Sequence, residues 1–272
     1  MDKMEKTKVL KPEEDAYGQE IWAHYNGKNS FEIVERDDGY YSVSSGVITY
    51  FSSYDEWAPQ EKKALEYVHG RVLDIGCGAG RHSLYLQEKG FEVLGIDNSP
   101  LAIKVCKLRG LKNAKVMSID ELSSKLGSFD TILMMGANFG LFSSFKKAQR
   151  LLKEFHTMTS KRSLIIAHTR DPYNTENLEH LAYHDFNKKR GRMSGQIRIR
   201  FGKCLSPWFD YLFVSVEELE EILEGTGWKV RELIGSENPT YYAIIEKKNH
   251  NHLNVGKQIK ITFQSIDKEK VK

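Results

Sequence analysis

The 272-residue sequence contains no apolar run of about 18 residues, so it offers no helix able to cross a bilayer. Its first stretch, Met1 to Glu14, is mostly Lys, Glu and Asp and lacks the apolar centre of a secretory signal. Cysteine is scarce. Cys77, Cys106 and Cys204 are odd in number and show no Cys-x-x-Cys spacing, which argues against a disulfide framework or a zinc ribbon. A reducing, cytoplasmic setting without a membrane partner is the expectation. Charge of one sign is also in short supply: the formal net charge of +3 is too small to imply nucleic-acid binding by itself. Internal repeats and low-complexity tracts are missing too, which leaves one α/β domain with attached segments as the reading of this length.

What is present falls into three parts. Residues 1–56 form a lead-in that begins polar and becomes rich in aromatics, among them Tyr17, Trp22, Tyr40, Tyr50 and Tyr54. It suggests a helix near 13–26 but no strand–helix alternation. Asp55 is placed to cap a helix over Trp57–Val68, with Pro59 tolerated in its first turn. Residues 57–247 carry a regular rhythm. Strand candidates at 71–75, 91–96, 114–119, 129–135 and 163–168 alternate with helical segments, and Ser99-Pro100 reads as N-cap and N1 of one of them. Such alternation predicts a doubly wound α/β fold with a mostly parallel sheet. An insertion at about 170–214 breaks the rhythm: 170–191 reads as a polar loop, then 196–201 and 208–214 as strands. A helix over 216–224 and an antiparallel pair at 228–234 and 241–246 close the domain. The tail, 248–272, is polar with one weak strand at 258–263.

The chemistry concentrates after the first strand. Val72-Leu-Asp-Ile-Gly-Cys-Gly-Ala-Gly80 ends a strand in Asp74 and enters a helix through Gly76, Gly78 and Gly80. Glycine there lets the backbone turn sharply and approach a ligand without a Cβ in the way. The next strand ends in Gly95-Ile-Asp97, an acid about 20 positions further on, whose two oxygens suit vicinal ribose hydroxyls. A helix-start carboxylate is the plainer explanation of Asp97. Glycines and acid together favour an adenosine ligand. A dinucleotide fingerprint needs its third glycine one position later, and Asp74 repels a nearby pyrophosphate. The same carboxylate favours a ligand that carries an ammonium group.

The segments LDIGCGAGRHSLYL and VLGIDNSPLAI resemble the first two motifs of the class I S-adenosylmethionine-dependent methyltransferases. The likeness runs from about Arg71 to Lys247. It implies S-adenosylmethionine as cofactor, Asp74, Gly76, Cys77, Gly78 and Gly80 around its methionine arm, and Asp97 with Asn98 at the ribose. An adenine-contacting position after strand 114–119 falls on Asp120 or Ile119, and Asp120 serves equally well as a helix cap. The fourth motif reads Gly136-Ala-Asn138-Phe-Gly140 and departs from the N/D-P-P-Y pattern of enzymes that methylate base amines. Asn138 is a catalytic candidate there, or simply a cap.

Methyl transfer from a sulfonium needs alignment and exclusion of water more than covalent help. A base is required only where the acceptor must lose a proton; His168, Asp171, Tyr173 and His184, at and after the strand 163–168, are the candidates. Arg170 and Tyr173 follow the same strand and are candidates for holding the acceptor. His180 and His184 share a helical spacing but lack a third ligand, so no metal is expected. In the strand at 196–201, Arg198 and Arg200 share one face and Ile197, Ile199 and Phe201 the other. The arginines suit an anionic metabolite through guanidinium forks, or, with the basic segment 187–203, an RNA backbone; a solvated face explains them equally. The expectation is a methyltransferase acting on a small, anionic molecule, with an RNA methyltransferase as the alternative and a non-catalytic cofactor-binding regulator further off. The lead-in is expected to close over the cofactor mouth as a lid.

Overall fold

The structure is a computed structural model and describes residues 10–44, 46–192, 195–235, 239–248 and 260–263. The chain begins with α1 (Ala16–Tyr25), a hairpin of β1 (Glu32–Arg36) and β2 (Tyr41–Ser44), α2 (Gly46–Phe51) and α3 (Pro59–Leu65). The alternating core follows: β3 (Val72–Ile75), α4 (Arg81–Glu88), β4 (Val93–Asp97), α5 (Pro100–Leu108), β5 (Ala114–Val116), β6 (Phe129–Met134), α6 (Phe145–Thr157) and β7 (Thr159–Arg170). Next come α7 (Leu178–Lys189), β8 (Gly195–Phe201), β9 (Cys204–Leu205), β10 (Phe209–Tyr211), α8 (Val216–Leu223), β11 (Trp228–Gly235), β12 (Thr240–Lys247) and β13 (Lys260–Phe263).

The strands form two sheets. The larger has eight strands in the order β13-β11-β12-β7-β6-β3-β4-β5. Strands β3 to β7 run parallel, β12 is antiparallel to both β7 and β11, and β13 joins β11 in parallel. This is the doubly wound α/β architecture with a terminal antiparallel pair that the strand–helix rhythm predicts. Both faces are covered. On one, α6 and α8 pack Leu151, Leu152, Phe155 and Ile222 against Ile132, Ile165 and Trp228. On the other, Trp57, Leu65 and Leu86 meet Val72, Leu133, Ile166 and Ile244. Successive strand residues point alternately into these two layers, which is why the strands read as continuous apolar runs.

Helix starts follow local chemistry. The Ser99 hydroxyl accepts from the Ala102 N–H and Pro100 occupies the first helical position of α5. Ser144 caps α6 in the same way, and Ser215 with Glu218 forms a capping box for α8. Helix α3 is shorter than the sequence predicts and starts after Ala58; Asp55 sits instead in a 3-10 turn over Tyr54–Glu56. The segment 170–191 is not all loop, because it holds α7. Its apolar positions are few and only Tyr183 and Asn187 are buried on it, so periodicity is faint. The start signal was Asn177, whose side chain accepts from the N–H groups of Glu179 and His180.

The second sheet is the larger departure. It joins β10-β8-β1-β2, with β9 on β8, so the lead-in and the insertion share one antiparallel sheet. Strand β1 pairs with β8 through Val34 opposite Ile199 and Glu35 opposite Arg198. The hairpin in the lead-in has no apolar/polar alternation to mark it: its exposed face carries Tyr41 and Val43, and its cavity face carries Glu32, Arg36 and Ser42. Within the weak strand expected at 258–263, Lys260–Phe263 pairs with β11.

Candidate functional site

Between the two sheets lies a cavity of about 980 Å³. Its floor is the crevice at the carboxyl ends of β3 and β6, where the chain order reverses, the usual ligand position in open α/β sheets. Gly76, Gly78 and Gly80 have φ of +71°, +54° and +82°, a left-handed backbone that only glycine adopts without strain. A Cβ on Gly76 would meet the Asn138 amide nitrogen at 2.5 Å, and one on Gly78 would lie 3.1 Å from the Tyr17 hydroxyl. Gly80 plays a different part: it does not border the cavity, and its missing Cβ makes room for Cys106. Cys77 borders the cavity, and its thiol lies 3.9 Å from that of Cys106.

Two carboxylates flank the loop. Asp74 is buried and accepts a 2.6 Å hydrogen bond from the Ser83 hydroxyl. Asp97 accepts from the Gly78 N–H at 3.0 Å and from the Ser99 N–H at 2.9 Å, so it both pins the glycine loop and starts α5. Burial raises its carboxyl to about 6. Each oxygen retains a lone pair for a ligand hydroxyl. Asn98, Ser118, Ile119 and Asp120 complete that end of the cavity. Asp120 also bridges Lys147 and Arg150, at 2.8 and 3.0 Å.

Asn138 donates from one amide nitrogen to the carbonyls of Ile75 and Gly76, both at 2.9 Å, tying the loop after β6 to the loop after β3. Ala137 beside it has φ of +63°, an unusual conformation for a residue with a Cβ. It is held from both sides. Its N–H donates to His168 Nδ1 at 2.8 Å, and its carbonyl accepts from the Tyr211 hydroxyl at 2.9 Å. Burial lowers His168 to about 4, which keeps this ring neutral and its acceptor nitrogen free for Ala137.

The roof begins with α1. Asp15 accepts from Gly18, from the Ser99 hydroxyl at 2.9 Å and from the Leu101 N–H, clamping α1 onto the start of α5. Tyr17 is thereby set above Gly78. The inner face of the second sheet contributes Glu32, Val34, Arg36, Ile197 and Ile199. Trp208, Phe209 and Tyr211 close the side wall. At the far end the Arg36 guanidinium lies 4.6 Å from the Tyr40 ring centroid and 4.0 Å from that of Tyr183, and bonds Asp38 and His180. Arg170 borders the same end and has no carboxylate partner among the described residues. Burial, reinforced by Arg36, lowers His184 to about 4, so it is neutral at pH 7 but a weak proton acceptor.

Several expected site residues are not brought together. Arg198 and Arg200 do share a face, but it is the outer one, where both guanidinium groups donate to Glu35 at 2.6 Å; the apolar face carrying Ile197 and Ile199 looks into the cavity. The strand period was legible and its direction was not. Asp171 and Tyr173 lie outside the lining: Asp171 accepts from the Tyr173 N–H, and the Tyr173 hydroxyl donates to Glu218. Tyr17, of the aromatic lead-in, and Tyr211, of the segment at 186–211, line the cavity, and so do Glu32 and Arg36, which carry no sequence signal. Among the described residues no group of three or more His, Cys, Asp or Glu is placed to hold a metal.

Residues 72–162 match a family model described as a methyltransferase domain. The chain is 40% identical over 83 residues to the 2-heptyl-1-hydroxyquinolin-4(1H)-one methyltransferase of Mycobacteroides abscessus, covering 28% of this chain and 37% of that protein. It is 34% identical over 136 residues to the tRNA (uracil(54)-C(5))-methyltransferase of Pyrococcus horikoshii, covering 46% of this chain and 31% of that one. The chain thus spans about a third of the length of these curated relatives. A solved S-adenosylmethionine-dependent methyltransferase from Bacteroides fragilis, in complex with S-adenosyl-L-homocysteine, superposes far more completely. It covers 89% of this chain and 98% of its own, with a TM-score of 0.76 and 25% identity. Glycine loop, strand order and these matches agree, and the chain belongs to the class I S-adenosylmethionine-dependent methyltransferase superfamily.

Proposed function

We propose that the chain transfers a methyl group from S-adenosylmethionine to a small molecule with an apolar body and an anionic end. The observation that carries this reading is the cavity itself. It runs without a break from Asp97 and the glycine loop to an apolar wall that ends at Arg36 and Arg170. Its volume is enough for a cofactor and a compact acceptor together.

The floor residues fit the cofactor. Asp97 would accept from the ribose hydroxyls, Asp74 would face the ammonium end, and Gly76 and Gly78 would leave room for the methionine arm. Ile119 and Asp120 would border the adenine. When bound, the cofactor supplies a methyl group already activated on a sulfonium, so alignment and dryness remain for the protein. The roof sheet excludes water, Asn138 and Tyr211 hold the loop after β6 in place, and Arg170 orients the acceptor's anionic group. His184 contributes a neutral imidazole at the acceptor end, able to hydrogen-bond but ill suited to hold a proton near pH 7.

The RNA alternative loses support from the ion pairs of its proposed track. Lys188 pairs with Glu218, Lys189 with Asp185, Arg192 with Asp37 and Asp210, and Arg198 and Arg200 with Glu35. Phosphates would have to displace these carboxylates. The test is incubation with S-adenosylmethionine labelled in its methyl group and fractionated cell extract. Label in material passing a small-molecule filter is the expected result. Label released only by ribonuclease would establish the RNA reading, and cofactor binding without any transfer would establish a regulator.

A further inference from the structure

Glu20 on α1 and Glu32 on β1 sit against each other behind the cavity roof, 0% and 4% exposed. Neither pairs with a Lys, Arg or His among the described residues. Both Glu20 oxygens and Glu32 Oε2 accept no hydrogen bond from the rest of the protein, while Glu32 borders the cavity. Two touching carboxyls in a dry site cannot both ionise without a cation between them. Burial, then the charge of Glu32, pushes Glu20 up to about 9, and burial raises Glu32 as well.

The surroundings fix where this charge acts. Ser44 on β2 and Tyr50 on α2 hydrogen-bond Glu32, and Tyr17 on α1 and Tyr211 on β10 face it. Tyr17 stands over Gly78 of the floor, and Tyr211 holds Ala137 of the loop after β6. Glu32 thus borders the cavity beside Tyr17, which stands over the glycine loop, and Tyr211, which holds the loop after β6. None of these neighbours is a cation, so a negative charge held by the carboxyl pair would be uncompensated by the protein.

We propose that Glu20 and Glu32 form a buried carboxyl pair sharing one proton, and that Glu32 recognises the sulfonium charge of the cofactor from the roof. The inference rests on the cofactor assignment above and goes beyond it. A carboxylate there attracts S-adenosylmethionine and gains nothing from S-adenosylhomocysteine, which has lost the sulfonium charge. The pair thereby favours substrate over spent product in a site that otherwise holds the same adenosine and the same methionine arm.

The test is calorimetric binding of S-adenosylmethionine and S-adenosylhomocysteine, separately, to the full chain and to two variants. The unmodified chain is expected to prefer S-adenosylmethionine by roughly tenfold, the lower end of one partly screened charge pair. Glu32→Gln should bring the ratio to about one while leaving S-adenosylhomocysteine affinity unchanged, which also reports an intact fold. Glu20→Gln should keep the preference, because the amide donates to Glu32 in place of the shared proton. No preference in the unmodified chain, an undiminished ratio in Glu32→Gln, or equal loss of both ligands would overturn the proposal. Failure of both ligands to bind the unmodified chain would instead overturn the cofactor assignment, and this inference with it.

Discussion

The floor and the roof of the cavity are built in opposite ways. The floor comes from consecutive strand–helix units, each strand parallel to its neighbour and each loop emerging at the same edge. The roof is stitched from β1 and β2 near the start of the chain and β8 to β10 more than 150 residues later. The floor is sandwiched between two apolar layers, whereas the roof has one face on the cavity and the other in solvent, with Tyr41 and Val43 66% and 62% exposed. This contrast predicts that stability resides in the floor and selectivity in the roof.

The largest effect should come from breaking the floor's packing. Trp228 is fully buried, and its indole N–H donates to the Leu152 carbonyl at 2.8 Å. Trp228→Ala is expected to cost about 3 to 5 kcal/mol in urea denaturation. A loss as small as that of a surface substitution would deny the floor its role as the stable half.

Next comes the proposed ligand contact on the floor. Asp97→Ala should weaken S-adenosylmethionine binding by about 1 to 3 kcal/mol. An unchanged dissociation constant would reduce Asp97 to a brace for Gly78 and Ser99. The same carboxyl sets a pH dependence. Because burial raises it to about 6, its contribution to the free chain's stability is present below the ordinary value of 3.8 and is lost as pH rises through about 6. Ligand binding has the opposite sign: protonation removes an acceptor, so affinity should fall as pH drops through about 6. Asp97→Asn should flatten that profile.

Roof and acceptor end should respond separately from the floor. Arg170→Ala is expected to weaken the labelled acceptor's binding by about tenfold, the scale of one charge-assisted hydrogen bond, with cofactor affinity unchanged. Equal loss of both would join the two ends of the cavity into one unit. The smallest effect belongs to the roof's outer face. Glu35→Ala frees Arg198 and Arg200 and should change stability by about 0 to 1 kcal/mol, since these ion pairs are partly exposed and screened. A change in acceptor affinity there would bring the arginines back into substrate recognition.

The same division governs what was legible. Strands β3, β4, β6 and β7, the Ser99-Pro100 start of α5 and the glycine loop were all readable because each depends on a few consecutive residues. So was the alternation of Arg198 and Arg200 with Ile197 and Ile199. Which of those faces meets the cavity depends on β1, whose Glu35 lies 163 residues before Arg198, and no local pattern encodes that pairing. Helix α7 was missed because most of its side chains face solvent or the cavity, where an apolar stripe has no energetic reason to form.

Local sequence by itself determined the cofactor half of this protein: glycines where φ must be positive, an acid at the end of each of two strands, and apolar runs that can only lie between two layers of helices. Tertiary structure alone decided the rest. It turned the apolar face of β8 inward, tied Arg198 and Arg200 to Glu35, left Arg170 without a carboxylate among the described residues, and set Glu20 against Glu32. The physical reason is that a turn or a cap is closed by neighbours in the chain, while the charge and polarity of a cavity wall are closed by residues that meet only after folding.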